Sequence, residues 1–380
     1  MSERTRGEIT NKSDGHNSDA VRHLYVHFPF CARICPYCAF YKTRGSAAEL
    51  AGFCDALALE ADRQRFPLAL ETIFFGGGTP TAQTTAQLIG LLQKLRDTFD
   101  LSLVREWTIE ANPGSVSAKK AAALIAGGID RVSLGVQSWD DALLRLLGRE
   151  HNAAQAEESF RIFRDAGFSN ISIDLMFALP GQTETQWRQS LEKSIALQPE
   201  HISTYCLTYE EDTDFLARFE RGEFRQHDEI DARFLEIAMA MLQEAGYEHY
   251  EISNYARPGF PSLHNQAYWH GADYLGLGPS AFSTRGNARW QNVADHREYA
   301  RRLTLGQSPV ANVETLTDTM KRTERIALGL RTRDGITDDT ICGERVSALA
   351  DAGLLQRNAH RLILTTAGKL VADSVAAELL

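Results

Sequence analysis

Nowhere in the 380-residue chain does an apolar run approach the roughly eighteen residues that a membrane span requires, so a bilayer-embedded protein is not expected. An excess of positive charge is also missing. The 40 lysines and arginines stand against 50 aspartates and glutamates, a net charge of −10. That balance argues against broad electrostatic capture of nucleic acid or anionic lipid, while leaving room for a local basic patch. The stretch from Met1 to Ala20 lacks the apolar core of an export signal and reads as a disordered polar tail on a cytoplasmic protein. Cysteine is scarce, and Cys54, Cys206 and Cys342 lie too far apart in sequence to suggest a disulfide framework. A reducing compartment suits them. Neither G-x-x-x-x-G-K-[ST] nor G-x-G-x-x-G fits the glycine run Gly76-Gly77-Gly78-Thr79-Pro80, so the common nucleotide-phosphate loops are poorly supported.

What is present is concentrated in His27-Phe28-Pro29-Phe30-Cys31-Ala32-Arg33-Ile34-Cys35-Pro36-Tyr37-Cys38-Ala39-Phe40-Tyr41-Lys42. Cys31, Cys35 and Cys38 are spaced C-x3-C-x2-C, close enough to converge on one metal centre. A cubane iron–sulfur cluster takes four ligands, so three cysteines leave one iron for a ligand that is not protein. Zinc is the alternative, with His27 completing a Cys3His site.

Around this loop, short apolar runs alternate with helical stretches. The runs are Leu24–Phe28, Thr72–Phe75, Trp107–Glu110, Arg131–Val136, Ile171–Met176 and Ile202–Leu207. Several are apolar throughout, as in strands covered on both faces. Helices are expected over Ala47–Arg65, Thr84–Phe99, Ser117–Ala126, Asp140–Leu147, Ala153–Ala166 and Thr183–Leu197. Such alternation predicts right-handed crossovers and a parallel sheet. Six units fall two short of a closed barrel, which points to an α/β fold built as an open (β/α)6 partial barrel; a doubly wound sheet is the alternative. The unusual residues gather where strands end: the cysteine loop, the glycine run, Glu110, Gln137, Asp174 and Thr208. Carboxyl ends of strands build the active site in parallel α/β barrels. Turn requirements explain the glycines and prolines, but not Glu110, Gln137 or Asp174.

The cysteine spacing, closed by Tyr37-Cys38, resembles the cluster loop of the radical S-adenosylmethionine (SAM) superfamily. That resemblance implies a [4Fe-4S] cluster on Cys31, Cys35 and Cys38, with SAM on the open iron. It also implies contacts to SAM from the backbone of Gly77, Gly78 and Thr79 and from Glu110, Gln137, Arg149 and Asp174, as in the coproporphyrinogen-dehydrogenase branch. Tyr25, Tyr37 and Thr208 are further candidates for that pocket. Read by itself, Arg149 at the end of a helix could simply complement the dipole.

After the barrel, Asp228–Glu244 reads as an amphipathic helix and Tyr247–Ile252 as an extra strand. Leu263 to Phe282 is read as a loop, too glycine-rich for a regular element, in which His264 either packs over the barrel mouth or serves a flat macrocycle. His264-Asn265-x-x-Tyr268-Trp269 resembles a signature of the haem-chaperone branch of the same superfamily. The implied function is uptake of haem and its transfer to client haemoproteins such as respiratory enzymes, with membrane contact only through those clients. An electron donor is the further partner implied, and a dimer is among the assembly states allowed. His264 is the candidate ligand of haem iron, and Cys206, expected as a buried strand cysteine, is the weaker one. The alternative is an enzyme, an oxygen-independent coproporphyrinogen III dehydrogenase. In that branch a fourth cysteine follows two residues after the third, where this chain has Phe40. Its structured N-terminal extension is also matched here only by the polar tail.

The C-terminal stretch reads as helix (Asp318–Leu328), turn (Gly335–Thr340), helix (Glu344–Ala352), two short strands (Gly353–Gln356, Arg361–Leu364) and a last helix (Thr365–Leu379), a winged-helix-like module. Nine basic and nine acidic residues between Thr317 and Leu380 leave no net phosphate-neutralising surface, so nucleic acid is not expected as a partner. The expected organisation is therefore a tail (1–20), a partial barrel (21–210), a barrel extension (211–315) and the C-terminal module (316–380).

Overall fold

The computed structural model describes residues 20–337 and 341–380, so the polar tail, apart from Ala20, and part of the 335–340 turn lie outside the described residues. Six parallel strands stand side by side in chain order: β1 (Val21–Phe28), β2 (Leu68–Gly77), β3 (Glu106–Ala111), β4 (Arg131–Gln137), β5 (Ile171–Phe177) and β6 (His201–Cys206). Between them run α1 (Ala47–Asp62), α2 (Thr85–Thr98), α3 (Ala118–Ala126), α4 (Asp141–Leu146), α5 (Ala153–Asp165) and α6 (Glu184–Ala196). Local chemistry fixes where these helices start. Ser46, Thr84, Asn152 and Thr183 each form a reciprocal capping box with Glu49, Gln87, Gln155 and Gln186.

The strands are less uniformly apolar than expected. Leu24, Val26, Ile73, Phe75, Val132, Leu134, Ile171 and Ile173 belong to the core under the helices. The alternate positions carry His23, Tyr25, His27, Glu106, Thr108, Glu110, Arg131, Ser133, Ser172, Asp174 and His201, which a period of two sends to the opposite face. These side chains are linked to one another across the strands by hydrogen bonds. The barrel interior is therefore a polar lumen.

The chain then extends both edges of the same sheet. After α7 (Asp214–Glu220) and α8 (Asp228–Glu244), β7 (Glu248–Glu251) and β8 (Asn254–Ala256) follow, with β8 antiparallel to β6. Past α9 (Leu263–Trp269), β9 (Tyr274–Leu277) lies parallel to β1 on the other side. It is followed by β10 (Phe282–Arg285), β11 (Ala288–Asn292), α10 (His296–Thr304) and β12 (Val310–Thr315). Among the described residues the resulting sheet has 12 strands and stays open, a partial barrel with additions at each edge.

The stretch from Leu263 corrects the sequence reading. It is the helix α9, not an irregular loop. Ser262 caps it by accepting from Asn265 N–H, and the glycine lies beyond the helix, where it ends it. Gly271 takes φ +68°, its N–H donates to Tyr268 O and that of Ala272 to Ala267 O. Its place is also different from that expected. Glu106, the first residue of β3, accepts from the N–H groups of Leu263 (2.8 Å) and His264 (3.0 Å). Helix α9 thus plugs the amino end of the barrel, the end opposite the cysteine loop.

The C-terminal module comprises α11 (Asp318–Leu330), β13 (Ile336–Thr337), α12 (Gly343–Asp351), β14 (Leu355–Asn358), β15 (Arg361–Leu364), α13 (Thr366–Leu370) and α14 (Ala372–Leu379). It has its own three-stranded sheet and a core that includes Leu330, Leu349, Leu362 and Val375. The single last helix expected is two, parted where Val371 leaves the helical region (φ −129°, ψ 34°). Arg331 lies over the Trp269 ring at 5.2 Å, tying this module to α9. No helix among the described residues is long and apolar enough to cross a membrane.

Candidate functional site

The cysteine loop leaves the carboxyl end of β1 and is pinned at both ends by backbone bonds. Cys31 N–H donates to Thr43 O (2.9 Å) and Thr43 N–H to Pro29 O (2.7 Å). The strand below holds it through Gly78 N–H to Phe28 O (2.6 Å) and Thr79 N–H to Phe30 O (2.8 Å). The glycines make this approach achievable: a Cβ on Gly78 would stand 2.8 Å from the carbonyl oxygens of both Phe28 and Phe30. Lys42 Nζ donates to Cys38 O, and Gly148, at φ +67°, leaves room for Pro36.

Two of the three thiols are approached by polar side chains. Thr79 Oγ1 lies 3.6 Å from Cys31 Sγ, and Arg149 Nη1 lies 3.6 Å from Cys35 Sγ. Asn112 connects these groups, accepting from Arg149 Nη2 at 2.5 Å and donating from Nδ2 to Thr79 Oγ1 at 2.8 Å. Asn112 was not singled out from the sequence, although it directly follows Ala111 at the end of β3. Arg149 also donates to Gly135 O (2.8 Å), and its Nε is buried without a partner. That orphaned donor points to a group the protein atoms do not supply. A cavity of about 400 Å³ opens beside it, lined among others by Arg33, Cys35, Thr79, Asn112 and Lys120.

Burial pushes the Cys31 thiol up to about 11, and the neighbouring Cys38 and Cys35 add to that rise, so the three sulfurs feel one another electrostatically. They do not yet form a closed cage: among the described residues, no three His, Cys, Asp or Glu side chains stand ready to hold a metal ion. The donor set, three soft thiols on one loop outside any helix or strand, fits an iron–sulfur cluster. It does not fit the zinc alternative as well. His27 Nε2 lies 2.9 Å from Tyr41 O and Nδ1 2.9 Å from Tyr25 OH. Because a carbonyl only accepts, Nε2 carries the proton and Nδ1 accepts from Tyr25, which leaves neither nitrogen for a metal.

Deeper in the lumen, Glu110 accepts from Gly77 N–H (3.0 Å), and burial together with the nearby charge of Asp174 raises its carboxyl to about 8. Asp174 accepts from Ser133 Oγ (2.7 Å) and Ser172 Oγ (2.8 Å). Gln137 sits at φ +67°, an unusual conformation for a residue with a side chain, beside an irregularity in the β4–β5 ladder. Tyr25 stacks on Phe74, with ring centroids 6.2 Å apart. Tyr37 packs against Phe215 at 6.1 Å, in a side cluster with Leu143 and Leu147, while its hydroxyl faces Arg149. Thr208 lies apart from these groups as an exposed residue whose hydroxyl donates to Glu210 (2.9 Å).

Two readings of the haem site need correction. His264 is 1% exposed, with Nδ1 2.7 Å from Thr72 Oγ1 and Nε2 3.1 Å from Tyr268 OH. Its ring stacks on Phe74, and burial depresses its pKa to about 3. As folded, it offers no nitrogen to an iron and lies at the wrong end of the barrel for a lid over the mouth. Cys206 is exposed rather than buried, because β6 ends there at the carboxyl side.

Residues 25–193 match the family model described as the radical SAM superfamily. The chain is 34% identical to the heme chaperone HemW of Lactococcus lactis, over 92% of this chain and 95% of that one. The chain belongs to the HemW family. HemW of Bacillus subtilis is likewise 34% identical, over 93% of this chain and 98% of its own. Among solved structures, coproporphyrinogen III oxidase (HemN) from Escherichia coli superposes with a TM-score of 0.81, covering 95% of this chain and 90% of that one at 23% identity. HemW-family membership and the HemN-like fold together account for the open barrel, the added strands and the C-terminal module.

Proposed function

We propose that this chain takes up haem and passes it to client haemoproteins, and that it carries a [4Fe-4S] cluster with SAM beside it. The observation that carries this reading is the likeness to proteins named heme chaperones over 92% of the chain. Phe40 supports it from the structure. It is 69% exposed at the position where the decarboxylating branch has a fourth cysteine, so the loop offers no extra thiol there.

Cys31, Cys35 and Cys38 would hold the cluster. When bound, such a cluster supplies a redox-active iron with one position left for a non-protein ligand. The remaining roles belong to this chain. Arg149 keeps its Nε–H unpartnered, a charged donor for a carboxylate. The amides of Gly77, Gly78 and Thr79 are already committed to Glu110, Phe28 and Phe30, so their carbonyls are what remains for an ammonium group. Glu110, with its pKa near 8, holds a proton at neutral pH and can donate, whereas Asp174 accepts. A sugar hydroxyl, which both donates and accepts, can engage either group.

For haem, the carboxyl end of the barrel supplies exposed apolar groups: Ile34 and Phe40 on the cysteine loop and Tyr205 at the end of β6. A flat apolar macrocycle matches such groups, and Cys206, an exposed thiol at the same end of the barrel, is the candidate ligand. Client haemoproteins and an electron donor complete the set of partners. Anaerobic reconstitution followed by addition of haem, or of coproporphyrinogen III with SAM and a reductant, tests the reading. Stoichiometric haem uptake without porphyrin turnover is expected; formation of protoporphyrinogen would overturn it in favour of the dehydrogenase.

A further inference from the structure

His201, at the start of β6, is 0% exposed and touches neither the cysteine loop nor the glycine run. Its Nδ1 lies 2.8 Å from Ser172 Oγ and its Nε2 lies 2.8 Å from Tyr250 OH. Ser262 N–H, at the cap of α9, approaches the same Tyr250 hydroxyl at 3.3 Å. At the other end, Ser172 Oγ is 2.8 Å from Asp174 Oδ1 and Ser133 Oγ is 2.7 Å from Oδ2.

The direction of every bond in this chain follows from its two ends. A carboxylate can only accept and a backbone N–H can only donate. Ser172 has one proton and gives it to Asp174, so it must accept from His201, whose Nδ1 therefore carries hydrogen. Burial, with the Arg131 cation near the ring, holds the imidazole far below its ordinary pKa, so it is neutral and Nε2 is bare. Tyr250 then donates to Nε2, and its oxygen is free to accept from Ser262. Ser203 Oγ, 3.4 Å from Ser172 Oγ, is the other hydroxyl near this junction.

We infer that His201 is a positioning residue that orients Asp174 through Ser172, fixing which way the carboxylate and its serine point in the lumen. The inference deepens the proposed SAM reading, since Asp174 is the acceptor assigned there to the ligand. It also gives the α9 cap a task, because the start of the His264-Asn265 motif becomes the anchor of a polarised hydrogen-bond chain ending at Asp174. The imidazole is the one member that must act as donor on one nitrogen and acceptor on the other, and tautomeric choice is what sets such roles.

The test uses the full-length protein. Nitrogen-15 spectra of histidine-labelled protein, with His201 assigned by the signal lost in His201→Asn, are expected to show the neutral Nδ1–H tautomer. An Nε2–H tautomer or a charged ring would overturn the inference. In parallel, SAM binding is measured on the reconstituted wild type, His201→Asn and His201→Gln. Asparagine retains a donor near the Nδ1 position and glutamine a polar group near Nε2 only. Glutamine is therefore expected to weaken SAM about tenfold, as for loss of one net hydrogen bond, and asparagine to weaken it less. Equal losses in both, at equal iron content and thermal midpoint, would mean a packing role and would also overturn the inference. Should the wild type bind no SAM, the SAM reading fails, while the tautomer still decides the orientation of Ser172 and Asp174.

Discussion

His27 fills the space that Gly77 leaves open: a Cβ on Gly77 would stand 2.5 Å from His27 Cε1. The ring cannot swing aside without losing Tyr25 OH and Tyr41 O, which hold its two nitrogens. Gly77 also takes φ +104°, a conformation that side chains rarely adopt. The glycine run therefore serves first to let β2 lie under the cysteine loop, and only through that to shape a ligand site.

Replacing Gly77 by alanine adds backbone strain and a clash with a fixed ring. A loss of about 3 kcal/mol is expected in chemical denaturation, together with lower iron uptake on anaerobic reconstitution. An unchanged denaturation midpoint would show that the ring can yield after all.

His264 is expected to behave as a structural residue. Its alanine variant leaves Thr72 and Tyr268 without their shared partner and opens a void under Phe74. The cost is expected to be about 3 kcal/mol, read as a lowered denaturant midpoint. The absorption spectrum of bound haem should stay as in the wild type. A stable His264→Ala protein with an altered haem spectrum would return this residue to the ligand set.

Glu60 makes stability pH-dependent. It is fully enclosed, accepting from Tyr299 OH (2.5 Å), Gly278 N–H (2.8 Å) and Asn292 Nδ2 (2.7 Å), and burial raises it from its ordinary 4.5 to about 7. The native state keeps a proton that the unfolded chain has released. The contribution is present below about 4.5 and is lost as the pH rises through 7, up to about 3 kcal/mol. Glu60→Gln, which cannot titrate, should flatten that slope in urea titrations between pH 5 and 8. A variant as steep as the wild type would place the linkage elsewhere.

The barrel was legible because its signals are local. Each strand run was found within a few residues, and Ser46/Glu49, Thr84/Gln87 and Thr183/Gln186 mark helix starts that any reader of capping patterns would place. The cysteine loop and the acids at the strand ends stood out for the same reason. What escaped depends on contacts distant in sequence. Helix α9 was hidden by glycines that lie beyond its end, and its place at the amino end is set by Glu106, 158 residues from His264. His201 fell one residue outside its apolar run, and nothing local distinguishes it from a core histidine. Asn112 carried no signal of its own; its part shows only where Arg149 and Thr79 meet on its amide.

Arg149 offers the sharpest separation of ligand binding from cluster binding. Its guanidinium reaches Asn112 Oδ1, Gly135 O and the neighbourhood of Cys35 Sγ at once, a spread that the single ammonium of lysine cannot reproduce. Arg149→Lys keeps the charge but loses the unpartnered Nε–H and the contacts that hold it in place. The three thiols remain, so iron content after reconstitution should match the wild type. SAM affinity should fall by about 2 kcal/mol, roughly thirtyfold, in equilibrium binding. Asn112→Ala, which leaves the guanidinium in place but frees it to turn, should lose less. If lysine bound SAM as tightly as arginine, the carboxylate partner would have to be sought elsewhere, with Lys120 and Arg33 in the same cavity as the next cations to test.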